Sequence, residues 1–295
     1  MTILLWGARA DTPLLDVAAA LERQGAGAVV LHDEDAESIA MEYTVKDRLQ
    51  GTLRHAGGVL SLDDVHSMYL RPSSDADPEA PVARHRSALL DMLYAWAEES
   101  RGTVINRSSA AVTNASKPHQ LRMIRDAGFD VPATLLTTSP EEVASFAARF
   151  GALVYKSISG TRSIVSTLDP SDPRLSRLTC PTQFQERVSG IEYRVHVVGE
   201  RVFGCAIEST ADDYRYARRF GAERTMKQVT IDDALAERCV RLTRRLGLLF
   251  SGIDLKRTPE GREVCFEVNT SPGFSFFDDD GAIAEAVATL LVQGL

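Results

Sequence analysis

Apolar residues in the first third of the chain form short continuous runs that alternate with helical stripes. The predicted elements are a strand at 2–6, a helix from a cap at Asp11 or Thr12, strands at 28–31 and 65–70, a helix at 82–100 and a strand at 103–105. Residues 32–64 have too weak a pattern to place elements. The strand, helix, strand order predicts an open α/β domain over residues 1–110.

After residue 110 the pattern changes to helices separated by hairpins. The predicted helices run from a cap at Asn114 or Ser116 to Ala127, then over 139–150, 232–246 and 279–292, and the predicted strands cover 152–156, 184–188, 191–198, 201–207, 248–255 and 263–268. A polar, proline-containing crossing precedes Phe184. We therefore divide this part into two subdomains, 111–183 and 184–295, and interpret 106–109 as the linker that precedes them.

Composition and charge limit the classes of function. The 295 residues allow two or three subdomains, and 44% hydrophobic with 25% charged residues is ordinary for a globular protein. A net charge of -8 argues against nonspecific nucleic-acid binding. No apolar span reaches membrane length and no basic segment precedes the apolar start, so we expect a cytoplasmic protein that has no membrane partner. The four cysteines have no paired spacing, which favours reduced thiols.

Two features near the N-terminus are weak candidates for ligand binding. Gly7-Ala8-Arg9 follows the first strand but lacks the later glycines of a dinucleotide fingerprint, so a simple strand-to-helix turn is the better interpretation. Arg71 ends a strand, where α/β domains often bind their ligands. It is therefore either a substrate contact or an ordinary surface arginine.

The predicted hairpin near the C-terminus carries three oxygen ligands. Glu267 and Asn269 are two residues apart and share a strand face, and Asp254 can join them from the neighbouring strand. Such hard ligands suit Mg²⁺ held partly by protein and partly by phosphates. Carboxylates on a hairpin more often face water, but the apolar residues around these predict burial, and buried carboxylates need a cation or many donors.

Two lysines precede that hairpin in the chain. Lys117 lies in a first helical turn, where a cation opposes the helix dipole unless an anion is near, although a solvated lysine is the commoner case. Lys156 ends a strand before a small, hydroxylated loop that contains Ser159 and Gly160. Such loops can wrap phosphates with backbone N–H groups but are also common hairpin turns. The loop is not a Walker-type P-loop.

Further charged residues follow the strand at 184–188. Glu192 and Arg194 share a face of the next strand, where they form either part of a site or an exposed ion pair. The segment 212–219 is rich in arginine, including Arg215, Arg218 and Arg219, although most charge runs are solvated.

The order of these motifs resembles the ATP-grasp ligases, specifically the RimK and glutathione synthetase-like branch. The resemblance begins near Asn114, and its most specific parts are Ser251-Gly252-Ile253-Asp254-Leu255 and Phe266-Glu267-Val268-Asn269-Thr270-Ser271-Pro272-Gly273. It implies an ATP-grasp fold: an N-terminal open α/β domain followed by central and C-terminal α+β subdomains.

The resemblance also implies roles for individual residues. Asp254, Glu267 and Asn269 would hold two Mg²⁺ ions that bridge the phosphates of ATP, with Mn²⁺ as a substitute. The nucleotide would be bound by Lys117, Lys156, the flap with Ser159 and Gly160, the adenine-binding segment Gln185, Glu186, Arg187 and Val188, and Glu192 on the ribose. Arg194 and Arg215 would stabilise charge on the reacting groups, and Arg218 and Arg219 could bind an acidic substrate.

The implied activity is ATP-dependent ligation of a carboxylate to an amine through an acyl phosphate. The substrates would be small molecules or peptides, with a carrier protein as a further option. The protein could also form a homo-oligomer. The pattern Tyr69-Leu70-Arg71-Pro72 loosely resembles the peptide-modifying group. A nucleotide-binding regulatory protein without turnover and an ATP-grasp kinase are the alternatives.

Overall fold

The structure is a computed structural model. It describes residues 2–73, 81–157, 166–169, 172, 175, 178, 180–209 and 224–294. Three predicted site residues, Ser159, Gly160 and Arg215, lie outside the described residues, as do Arg218 and Arg219.

The N-terminal region is built on a parallel sheet. Its elements are β1 (Thr2–Gly7), α1 (Thr12–Arg23), β2 (Ala28–His32), β3 (Ala40–Val45), β4 (Leu49–His55), β5 (Gly58–Ser61), β6 (Val65–Arg71), α2 (Pro81–Glu99) and β7 (Thr103–Ile105). Four strands pair in parallel in the order β2-β1-β6-β7. Asp11 caps α1 by accepting a hydrogen bond from the backbone N–H of Leu14, so the α/β opening forms as predicted.

The segment that carried no clear pattern forms a small antiparallel sheet, β3-β4-β5. Most side chains of β3 are exposed or half-buried, and the sheet joins the core through few residues, among them Leu53 and Leu60. A strand that buries so few apolar side chains gives little alternation for sequence reasoning to detect. The hydrophobic pattern of this segment was therefore too weak to predict its three strands.

The middle of the chain contains a second antiparallel sheet. Its elements are α3 (Ser108–Ala111), α4 (Lys117–Asp126), β8 (Thr134–Thr137), α5 (Pro140–Phe150), β9 (Leu153–Ser157), β10 (Ser166–Thr167) and β11 (Thr182–Glu186). The strand order is β10-β9-β11-β8. Phe184 faces a core cluster that includes Val143 of α5, so neighbouring residues of β11 point to the opposite face of the sheet.

The last part of the chain carries the largest sheet. Its elements are β12 (Ile191–Val198), β13 (Arg201–Ser209), β14 (Arg224–Val229), α6 (Asp233–Arg245), β15 (Phe250–Arg257), β16 (Glu263–Asn269) and α7 (Ala282–Gln293). The order β14-β13-β12-β15-β16 is antiparallel throughout. The predicted hairpins are therefore neighbours, with β12 paired directly to β15.

Helix α7 returns to the N-terminal region. Its residues share one core cluster with β1, α1 and Tyr69 of β6. Ser67 donates to the carbonyl of Leu291 over 2.7 Å, and Arg23 pairs with Glu285 at 2.7 Å. The carboxylate of Asp278 accepts from two backbone N–H groups at the start of α7 and therefore caps this helix.

Asn106 lies in the predicted linker but joins two regions firmly. Its amide nitrogen donates to the carbonyls of Phe250 and Thr270 over 2.7 and 2.6 Å, and its oxygen accepts from the N–H of Leu249 over 2.8 Å. The amide thus replaces a missing strand neighbour at the ends of β15 and β16. Asn106 is therefore a structural anchor within the segment that we interpret as a linker.

Candidate functional site

The three predicted metal ligands lie together on β15 and β16. Asp254 is directly opposite Glu267 in the strand register, and Gly252 is opposite Asn269. The side-chain nitrogen of Asn269 lies 3.4 Å from the nearer carboxylate oxygen of Asp254. The carboxylate side chains are only 17% and 16% exposed. The structure thus forms the cluster that the strand alternation predicted.

Each carboxylate of this cluster already faces a cation. Nη1 of Arg194 lies 2.7 Å from Asp254, and Nζ of Lys117 lies 3.1 Å from Glu267. Both cationic side chains are more than nine-tenths buried. A lysine in the first turn of a helix is unfavourable unless an anion is near, and for Lys117 that anion is Glu267.

Gln120 fixes α4 against β16, which carries two of the predicted metal ligands. Its amide donates to the carbonyl of Val268 and accepts from the N–H of the same residue, both over 2.9 Å. Val268 lies between Glu267 and Asn269, so Gln120 and Lys117, one helical turn apart, hold one short stretch of β16. Sequence reasoning missed Gln120, although its spacing from Lys117 was a usable signal.

Arg194 is surrounded on several sides. Its Nε donates to Nε2 of His196 over 3.3 Å, and its guanidinium carbon lies 5.8 Å from the centre of the Phe277 ring. Gly252 makes room for it, because a Cβ there would overlap the guanidinium. Burial, and then the charge of Arg194, lower the pKa of His196 well below its usual range, so its ring is neutral.

The second lysine lies in the central sheet. Lys156 is buried on β9 and stands directly opposite Gln183 of β11. The Gln183 side chain is fully buried, and among the described residues neither its oxygen nor its nitrogen has a hydrogen-bond partner. Gln185, on the same face, donates to Thr134 over 3.0 Å. Gln183 is thus an unpaired donor and acceptor next to Lys156.

The predicted adenine segment is partly engaged within the central subdomain. The Glu186 carboxylate accepts from the N–H of Ala133, and the N–H of Glu186 donates to the carbonyl of Ala133. The N–H of Arg187 donates to the carbonyl of Ala152. These two N–H groups are therefore used within the sheet, and Val188 follows them. Glu192 is half-buried on β12, two residues before Arg194.

Arg71 is neither a surface residue nor an open substrate contact. It makes a two-pronged pair with Asp11, at 2.6 and 3.2 Å, and donates to Ser271 and to the carbonyl of Pro272 over 3.1 and 3.0 Å. Its side chain is 9% exposed. Arg71 thus connects the end of β6 and the start of α1 to the loop that follows Asn269, which corrects its interpretation as a surface arginine.

Three further observations concern metal ligands, cysteines and membrane spans. Among the described residues, no group of three His, Cys, Asp or Glu side chains could hold a metal, so a cation at Asp254 and Glu267 needs an amide or substrate oxygens as well. All four cysteines are free thiols, and only Cys180 is exposed. Within the part of the chain described, no helix is long and apolar enough to cross a membrane.

Comparisons with known proteins agree with this geometry. A probable alpha-L-glutamate ligase of Pectobacterium carotovorum is 29% identical over 184 residues, which cover 57% of this chain and 59% of that ligase. The ATP-grasp ligase PsnB, solved with a phosphomimetic variant of its minimal precursor, Mg and ADP, is 26% identical with a TM-score of 0.81 and covers 99% of this chain and 97% of its own.

A ligase from Chryseobacterium gregarium shows the same fold. This RiPP-associated ATP-grasp ligase, solved with ADP and a leader and core peptide, is 21% identical with a TM-score of 0.84, and the match covers 100% of this chain and 97% of that one. The model of the RimK-like ATP-grasp domain matches residues 114–291, which is more than half of the chain. The predicted fold and resemblance are confirmed, and the chain belongs to the RimK-like ATP-grasp family.

Proposed function

We propose that this protein is an ATP-dependent ligase that joins a carboxylate to an amine through an acyl phosphate. The observation that carries the proposal is the pairing of Asp254 with Arg194 and of Glu267 with Lys117. Two half-buried carboxylates and two buried cations lie together there, and a phosphate could replace a carboxylate as the partner of a cation.

The donor set of the hairpin fits a magnesium site. Asp254, Glu267 and Asn269 offer carboxylate and amide oxygens, and Mg²⁺ binds such ligands together with substrate phosphates. Two ions would suit two opposed carboxylates, and Mn²⁺ would accept the same oxygens. When bound, the metal would supply charge neutralisation at the phosphates. PsnB was solved with Mg and ADP, which supports this assignment.

The nucleotide would lie between the central sheet and the five-stranded sheet. We assign its phosphates to Lys117, Lys156 and the flap residues Ser159 and Gly160. The unpaired amide of Gln183, opposite Lys156, supports the presence of a polar ligand there, because an unsatisfied buried amide is costly. Adenine would meet the backbone of 186–188 beside Gln185, and Glu192 would hold the ribose.

In the first step a substrate carboxylate oxygen bonds to the γ-phosphorus, and the bond to ADP breaks. The two reacting groups are both anions, which at about 4 Å repel by about 4 kcal/mol at an effective dielectric of 20. Arg194, and Arg215 beyond the described residues, would offset that charge. In the second step the amine nitrogen attacks the acyl carbon, phosphate leaves with the C–O bond electrons, and the nitrogen loses a proton.

We infer that the carboxylate belongs to an amino acid or a peptide, and that a peptide is the better candidate. PsnB and the Chryseobacterium ligase were solved with precursor peptides, and sequence relatives are named glutamate ligases. We place the protein in the cytoplasm, because the proposed reaction consumes ATP and three of the cysteines are buried free thiols.

The test is Mg²⁺-dependent ADP release with a panel of amino acids and acidic peptides, each with and without an added amine. We expect release that needs both a carboxylate and an amine and that falls roughly 100-fold or more in the Asp254→Asn, Glu267→Gln double variant. Release that needs only one acceptor would instead identify a kinase. ADP binding without turnover on any pair would identify a regulatory protein, and an undiminished double variant would refute the metal assignment.

A further inference from the structure

Arg194 is held at its Nε edge by a residue to which the family resemblance gives no role. His196 lies two residues further along β12 and therefore on the same face, and it is 1% exposed. Its Nε2 accepts a hydrogen bond from Nε of Arg194 over 3.3 Å. We propose that His196 is a positioning residue that fixes the guanidinium of Arg194 for the acyl-phosphate step. This inference rests on the proposed function.

A neutral imidazole matches both neighbours of His196. Nε2 accepts from Arg194, so we assign the ring proton to Nδ1. Burial and then the charge of Arg194 lower the pKa of the ring, whereas the backbone of Gly273 acts in the opposite direction and therefore lies near it. Gly273 lies in the loop that follows the metal-ligand residue Asn269. His196 thus joins the proposed catalytic arginine to that loop, which Arg71 holds from the other side at Ser271 and Pro272.

The remaining sides of the guanidinium are also fixed. Nη1 pairs with Asp254 at 2.7 Å, and the plane of the group lies near the Phe277 ring. The same ring lies 5.3 Å from the imidazole of His196, so both side chains share one aromatic support. Gly252, opposite His196 in the register, leaves the space that the guanidinium fills.

These contacts have separable consequences. Asp254 attracts the guanidinium through the ion pair at Nη1, and the Phe277 ring lies near its plane. The bond from Nε to His196 fixes the second edge and therefore the plane. Without it, Arg194 would still neutralise Asp254 but would present its remaining N–H groups in varied directions. Transition-state stabilisation depends on that direction more than ground-state binding does.

Two substitutions separate positioning from packing. His196→Gln keeps an acceptor and a donor, whereas His196→Leu keeps the volume and removes both. In ¹H–¹⁵N spectra of the arginine Nε–H groups, we expect a slowly exchanging Nε–H signal that is absent from Arg194→Lys. It should persist in His196→Gln and lose its protection in His196→Leu, whereas protection in both variants would overturn the inference.

Kinetics test the consequence on the carboxylate that the ADP-release panel identifies. His196→Leu should lower kcat by about tenfold or more while the Kd for Mg·ADP stays within about twofold, and His196→Gln should recover most of the loss. In an Arg194→Lys background, His196→Leu should add little. Equal losses in the Leu and Gln variants, or additive losses with Arg194→Lys, would show that the role is only structural. A parent without turnover would refute the proposed function, and the spectra would still decide the positioning.

Discussion

Two ion pairs at the level of single residues balance the charges of the candidate site. Lys117 and Arg194 neutralise the carboxylates that we assign to the metal, so neither buried acid stands alone. When phosphates arrive, the ammonium of Lys117 can turn to them while Glu267 becomes available to a divalent ion, and Arg194 stays bonded to His196. Nucleotide and metal binding should therefore favour each other.

Lys117→Met tests this exchange directly. Loss of the ammonium leaves Glu267 unpaired, so we expect Mn²⁺ to bind more tightly without nucleotide and ADP to bind roughly tenfold more weakly. Titration calorimetry measures ADP, and electron spin resonance counts free Mn²⁺. Lys46→Met, at an exposed site, is the matched control. Parallel weakening of both ligands would mean that Lys117 only supports the local structure.

Gln183 and Gln185 form a second matched pair of residues. Gln183 has a buried amide without a partner, whereas the amide of Gln185 donates to Thr134. Gln183→Met should raise the unfolding midpoint, because an unpaired buried polar group costs about 1–3 kcal/mol. Gln185→Met should lower it. Calorimetric scans without ligand compare the two, and a lower midpoint for Gln183→Met would contradict this account.

At the level of elements, the site depends on how α4 meets β16. Gln120 satisfies both the N–H and the carbonyl of Val268, which lies between two proposed metal ligands. Helix α4 therefore supports β16 where no further strand of the sheet is present. Lys117 and Gln120 lie one turn apart, so the contact that orients the helix also orients the lysine.

Gln120→Leu is expected to damage stability and the site together. Two buried backbone groups lose their partner, at about 1–3 kcal/mol each, so the unfolding midpoint should fall by several degrees. Affinity for ADP should fall as well, because Lys117 loses its support. Differential scanning fluorimetry with and without ADP measures both. His119→Leu, on the exposed side of α4, should change neither, and an equally large effect there would point to a general disturbance of the helix.

The same elements show what could be predicted from sequence. The carboxylates of β15 and β16 were predictable because alternation within a strand and pairing across a hairpin are local rules. Gln120 and Asn106 were not identified, because their partners are backbone groups of distant segments. His196 was not identified, because alternation places it on the same face as Arg194 but does not show that the two side chains bond. Strands β3 to β5 were missed because they bury few side chains.

At the scale of the whole molecule, the N-terminal region and the candidate site share a frame. Helix α7 packs against α1 and β1, Asn106 links β7 to the ends of β15 and β16, and Arg71 joins Asp11 to the loop after Asn269. The loop that follows the proposed metal ligand Asn269 is thus anchored from outside its own sheet. A substitution that destabilises the N-terminal region should therefore also weaken ligand binding at the candidate site.

A double-mutant cycle on Arg71 and Asp11 measures this connection. Arg71→Ala leaves Asp11 without its cation and frees the loop at Ser271 and Pro272, so we expect a loss of about 3 kcal/mol and weaker binding of Mn·ADP. Asp11→Ala should remove the pair but keep the loop contacts, and therefore spare Mn·ADP binding. The coupling between the two should exceed about 1 kcal/mol.

An exposed ion pair at the same end of the sheet provides the control for that cycle. Arg9 and Asp35 approach to 2.5 Å, but their side chains are 56% and 42% exposed. Solvent screens such a pair, so its coupling should stay below about 1 kcal/mol and Mn·ADP affinity should not change. Urea unfolding and calorimetry supply both quantities for both cycles. If Arg71→Ala binds Mn·ADP as tightly as the parent, the N-terminal region supports only its own fold, and the loop after Asn269 is held by the C-terminal sheet alone.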